Sequence, residues 1–71
     1  MQVLLYDQLN PKNIPHFPKM KGLLEAGDFR SADVKKVGPN LYRARLDSSN
    51  RLVFSLYRYQ DKTYILVLEY I

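Results

Sequence analysis

From Leu41 onward the chain is almost wholly β-prone: LYRARLD, RLVFSLYRY and KTYILVLEYI follow one another, parted only by Ser48-Ser49-Asn50 and Gln60-Asp61. Runs of β-branched, aromatic and aliphatic residues bounded by turn formers read as strands, so this stretch is a three-stranded meander. A chain of 71 residues has room for one core only. Everything before Leu41 must therefore pack on that meander.

The segment VLLY (Val3 to Tyr6) is a short apolar run closed by the turn formers of Asp7 to Pro11, and it reads as a further strand. Pro11, Pro15 and Pro18 then exclude a long helix, because each removes a backbone donor and restricts the residue before it. From Pro18 the period changes. Met20, Leu23 and Leu24 recur at helical spacing, Pro18 suits a first turn and Gly27 a left-handed stop, giving a helix of about two turns. DFRSADVKKVGPN reads as a second helical turn or an ordered loop, ending in the turn Gly38-Pro39-Asn40. The expected fold class is α+β, with a short helical segment packed on a four-stranded, mainly antiparallel sheet. The last strand, apolar on both faces, is central, and the first strand lies on its far side.

Alternation makes the first hairpin testable on paper. A four-residue loop, Asp47 to Asn50, sets Arg43 opposite Phe54 and Arg45 opposite Leu52, mixing charge into the core. A three-residue loop, Ser48 to Asn50, pairs Leu46 with Leu52, Ala44 with Phe54, Tyr42 with Leu56, Arg45 with Val53 and Arg43 with Ser55. The faces then separate, and Asn50 suits the left-handed position of such a loop. Tyr42, Ala44, Leu46, Leu52, Phe54 and Leu56 become the core face. Arg43, Arg45 and Arg51 share the other with Val53 and Tyr57.

Charge is distributed unevenly. Lys12, Lys19, Lys21 and Arg30 offset Asp7, Glu25, Asp28 and Asp33, so the net charge of +4 arises after Val34. Lys35, Lys36, Arg43, Arg45, Arg51 and Arg58 carry it, with Tyr57, Tyr59 and Tyr64 available for stacking. Such residues also serve as an ordinary solvated surface. Their one-sidedness and their arginine content favour a polyanion, because guanidinium binds phosphate bidentately and stacks on bases. The candidate nucleic-acid-binding set is Lys35, Lys36, Arg43, Arg45, Arg51, Tyr57 and Arg58.

Other chemistries find little support. There is no cysteine, hence no disulfide, thiolate metal site or thiol nucleophile, which suits a reducing compartment. His16, alone between Pro15 and Phe17, has no triad or metal spacing around it, and Asp28, Asp33 and Glu69 read as solvated or capping carboxylates. Gly22, Gly27 and Gly38 are too far apart for a phosphate loop. No cofactor or metal is expected. A start such as MQVLLYDQLNPK lacks a signal-peptide pattern and no run is long enough to span a membrane, so a soluble cytoplasmic protein is expected.

The order strand, helical segment, meander resembles the RelE/ParE superfamily of bacterial toxins. The stretch from Leu23 to Leu68 carries the likeness, above all DVKKVG and LYRARLD…RLVFSL. The resemblance implies a RelE-like domain over residues 1–71, with ribosome-dependent mRNA cleavage or gyrase poisoning as the family's activities and an antitoxin chain as partner. Matched onto this chain, Lys35, Lys36, Arg43, Arg45 and Arg51 would bind phosphate. The last strand departs from the nuclease pattern, which continues into a basic or histidine residue and a tyrosine; here it reads LVLEYI, with an acid at Glu69.

The expectation is therefore a basic domain that binds nucleic acid or the ribosome, with catalysis lost or unproven and no catalytic residue assigned. Two alternatives stand beside it. One is an active mRNA endonuclease toxin using Tyr57 or Tyr59 with the arginines. The other is a protein-interaction or regulatory module at the N-terminus of a larger nucleic-acid enzyme, suggested by the apolar ending at Ile71, which invites a continuing chain.

Overall fold

A computed structural model describes all residues, Met1–Ile71. Strand β1 (Gln2–Leu5) leads through a short 3-10 turn (Pro11–Asn13) to helix α1 (Phe17–Glu25). Strands β2 (Lys35–Gly38), β3 (Leu41–Arg45), β4 (Arg51–Tyr59) and β5 (Lys62–Tyr70) follow. The sheet order is β1-β5-β4-β3-β2. β1 runs parallel to β5, and every other pair is antiparallel. The fold is α+β, as expected, with β5 inside the sheet and β1 beyond it.

The sheet has five strands, not four. The additional one is β2, in the stretch expected to be a helical turn or loop. KKVG has weak strand character of its own, and pairing with β3 makes it a strand: Lys35 lies opposite Arg43 and Lys36 opposite Tyr42. Gly38 and Leu41 then close a two-residue connection in which Asn40 takes φ 47°. Asparagine tolerates that left-handed geometry better than most residues.

Helix α1 starts one residue before Pro18, which occupies its first turn. It ends where Gly27 adopts φ 73°. Gly27 N–H donates to the Leu24 carbonyl at 3.0 Å and Asp28 N–H to the Leu23 carbonyl at 2.9 Å, closing the last turn as a left-handed stop does. Glu25 reaches back to the edge strand: its carboxylate accepts from Val3 N–H at 3.0 Å, and its carbonyl accepts from the N-terminal ammonium at 3.0 Å. An otherwise open edge is thereby occupied.

The register of the first hairpin differs from expectation by two residues. Tyr42 faces Phe54, Arg43 faces Val53, Ala44 faces Leu52 and Arg45 faces Arg51. The reason lies in the loop. Asp47 accepts from Ser49 N–H at 2.8 Å, from Asn50 N–H at 2.9 Å and from the Asn50 side-chain amide at 2.9 Å, a carboxylate-centred turn that a three-residue hairpin cannot hold. Asn50 is accordingly not left-handed; the residues with positive φ are His16, Asp33, Asn40, Gln60, Asp61 and Gly27. A slip of two preserves alternation, so the two faces keep their expected residues.

A bulge in β5 has a larger consequence. Phe54 pairs with Val67 but Val53 with Glu69, leaving Leu68 as the extra residue. Strict alternation after Ile65 and Val67 would direct Glu69 into the core; the bulge returns it to the open face.

α1 covers one side of the sheet. The core joins Val3, Ala44, Leu52, Phe54, Ile65 and Val67 to Phe17, Met20 and Leu24, with Ile14 and Ala32 sealing its ends. Tyr42, Leu46 and Leu56, expected in this core, are half-buried at its margin. Tyr42 stacks on Phe54 at 5.5 Å between ring centres, and Phe29 tilts against Phe54 at 6.1 Å. Each fully buried Leu or Phe contributes about 1.5 to 3 kcal/mol. No helix is long and apolar enough to cross a membrane.

Candidate nucleic-acid interface

The face of the sheet away from α1 is open, and strand pairing decides what stands on it. Lys35 of β2 lies beside Arg43 of β3, Arg43 beside Val53 of β4, and Val53 beside Glu69 of β5. In the next row Arg45 lies beside Arg51, whose N–H donates to the Ile71 carbonyl. Lys35, Arg43, Arg45 and Arg51 thus converge from three strands. With Asp33 they line a shallow cleft of about 70 Å³ that has no apolar wall.

The four cations are held differently. Arg51 is half-buried, and its guanidinium donates to the carbonyls of Asp47 at 2.6 Å and Asn50 at 3.0 Å, so it is fixed to the loop. Arg45 donates from Nε to the Asp47 carbonyl at 3.4 Å and lies 4.0 Å from the Asp33 carboxylate, with both side chains about half exposed. An ion pair so long and so exposed is weak. Lys35 and Arg43 are exposed and enter no ion pair. The cleft therefore has one guanidinium fixed to the loop, Arg51, a second loosely held, Arg45, and two exposed cations without ion pairs, an arrangement suited to successive phosphates.

Lys36, Arg58 and Tyr57 do not join it. Lys36 pairs with Tyr42 and alternates to the opposite side from Lys35. Arg58 pairs with Thr63 near the last hairpin, on the opposite side from Tyr57. Tyr57 is on the open face, but six positions along β4 from Arg51, roughly 20 Å at ordinary strand rise. There it stacks with Tyr59 at 6.4 Å and tilts against its cross-strand partner Tyr64 at 6.3 Å. Between the basic and tyrosine ends lies an aliphatic strip in which Leu4 pairs with Leu66, and Leu66 with Ser55.

Sequence reasoning missed two contributors. Asp33 became part of the cleft only once β2 was a strand. Asp47 supports it from outside: hydrogen bonds from Asn50 and from Ser49 N–H, with the charge of His16 at 3.9 Å when protonated, hold its carboxyl below the usual range. An Asp-x-x-Asn spacing after a strand was the available signal. No group of three or more His, Cys, Asp or Glu side chains is placed to hold a metal ion. No family model, curated protein or solved structure matches the chain.

Proposed function

We propose that this chain is a RelE/ParE-like basic domain that binds a single nucleic-acid strand, RNA of the ribosome or its message, through the open face of its sheet. The observation that carries the reading is the convergence of Lys35, Arg43, Arg45 and Arg51 on one cleft with a single carboxylate, Asp33, among them. An open sheet face with cations at one end and stacked tyrosines at the other offers both contacts a single strand requires, phosphate pairing and base stacking. Binding rather than cleavage is proposed, because Tyr57 and Tyr59, the groups a toxin-like cleavage would recruit, stand at least four positions along β4 from the row of Arg43 and six from Arg51, roughly 13 Å and roughly 20 Å at ordinary strand rise.

The test is the salt dependence of binding to a single-stranded RNA. Replacing Lys35, Arg43 and Arg45 together with alanine removes about three phosphate contacts and should flatten the log–log salt slope by about 2. Arg51 is left in place because it holds the loop. An unchanged slope in a folded variant refutes the proposal.

A further inference from the structure

Around the end of the sheet from the basic cleft, on the side of α1, lies a second recess of about 250 Å³. Its floor is apolar: Met20, 4 % exposed, with Leu23 and Leu46 half-buried beside it. Its rim is polar: His16, Lys19, Ser31 and Arg45. No carboxylate lines it. Three stand just outside it, each on one rim residue: Asp28, which accepts from Ser31 N–H at 3.2 Å, Asp47, 3.9 Å from His16 Nε2, and Asp33, 4.0 Å from the Arg45 guanidinium.

An apolar floor beneath an exposed lysine, an exposed arginine and an imidazole suits a base or sugar joined to a phosphate monoester. The lysine and arginine pair the phosphate, the imidazole hydrogen-bonds it, and the floor takes the apolar body. The volume lies below the range of about 300 to 1,000 Å³ usual for drug-sized ligands, which suits one nucleotide and not a dinucleotide. Arg45 belongs to both the recess and the basic cleft. Phosphates lying along Lys35 and Arg43 can therefore continue over Arg45 into the recess.

We propose that the recess between α1 and the end of β3 is a nucleoside monophosphate site, filled by the phosphorylated terminal nucleotide of the bound strand. The site itself rests on the recess; its occupation by a strand end rests on the function proposed above.

Two sets of probes test these parts separately on the full chain. In the first, uridine monophosphate should shift the methyl resonances of Met20, Leu23 and Leu46 and the amide of Ser31. Lys19→Ala should weaken it about tenfold, as loss of one charge-assisted hydrogen bond does. Lys19 is exposed on α1, so its truncation leaves the core intact. The Lys35→Ala, Arg43→Ala double variant should bind the nucleotide as before. No shift at millimolar nucleotide, or shifts indifferent to Lys19→Ala, would overturn the site. In the second, oligouridylates with and without a terminal phosphate are compared. A preference for the phosphorylated end, on the order of tenfold and abolished by Lys19→Ala, supports occupation by a strand end. Nucleotide binding without that preference overturns that occupation. Nucleotide binding without any oligonucleotide binding supports the site and overturns the nucleic-acid reading.

Discussion

Asn40 pairs with Leu56 as a strand residue would, but with its side chain: its amide donates to the Leu56 carbonyl at 3.0 Å and its amide oxygen accepts from Leu56 N–H at 3.0 Å. β3 pairs with β4 no further along than Tyr42 opposite Phe54. One turn residue thus satisfies two groups on β4 that β3 does not reach, while tolerating φ 47°. Asn40→Ala loses both bonds and strains the backbone, and should cost about 2 kcal/mol. Asn40→Gly keeps the backbone comfortable and should cost about 1 kcal/mol. Urea unfolding of the two variants checks both the size and the order.

The last hairpin turns on Gln60 and Asp61, at φ 49° and 63°. Two successive positive angles are the geometry that Asn-Gly satisfies best. The double change Gln60→Asn, Asp61→Gly should stabilise the domain by about 1 kcal/mol. Thermal and urea midpoints should both rise; a fall would mean that the native side chains make a contribution the geometry does not reveal.

Acid should loosen the β3–β4 loop. The Asp47 carboxyl is held low by Asn50 and Ser49, and that of Glu25 by Val3 N–H and then Lys21. For a depressed carboxyl the stabilisation is fully present above the unfolded value, 3.8 for Asp47 and 4.5 for Glu25, and is lost as pH falls through the folded value. Asp47→Asn should therefore lower stability at neutral pH and flatten its decline in acid. Urea midpoints measured from about pH 6 down to about pH 2.5 read out that slope.

Glu69 faces the basic row because Leu68 bulges. Glu69→Lys should steepen the salt slope of RNA binding by about 0.7, one further phosphate contact on a single strand. Since Glu69 is exposed, stability should change little. A slope no steeper than that of the parent chain would show that bound RNA does not reach β5.

The core depends on α1 through Leu24, which is fully buried. Leu24→Ala should cost about 2 to 5 kcal/mol, a large share of the stability of a domain this small. Loss of a cooperative unfolding transition in this variant, with its retention in Leu23→Ala, would confirm which face of the helix the sheet requires. Leu23 is only half-buried.

Local chemistry made much of this protein legible from its residues alone. Alternation separated Ala44, Leu52 and Phe54 from Arg43, Arg45 and Arg51, and helical spacing with Gly27 marked the helix and its end. These are properties of neighbours along the chain, where side-chain period and backbone preference act directly. What depended on distant partners was decided only on folding. β2 became a strand because β3 was there to pair with it, the hairpin register followed the Asp47 turn, and the Leu68 bulge turned Glu69 outward. The cleft inherits the same division: its arginines stand on a face that alternation determined, Arg58 falls on the opposite side by the same alternation, Lys36 does so once β2 is a strand, and Tyr57, on the arginines' own face, is parted from them by distance along β4. Alternation fixes the side of a sheet on which a residue stands, but its place on that side follows from hydrogen-bond registers between strands, which no local sequence pattern encodes.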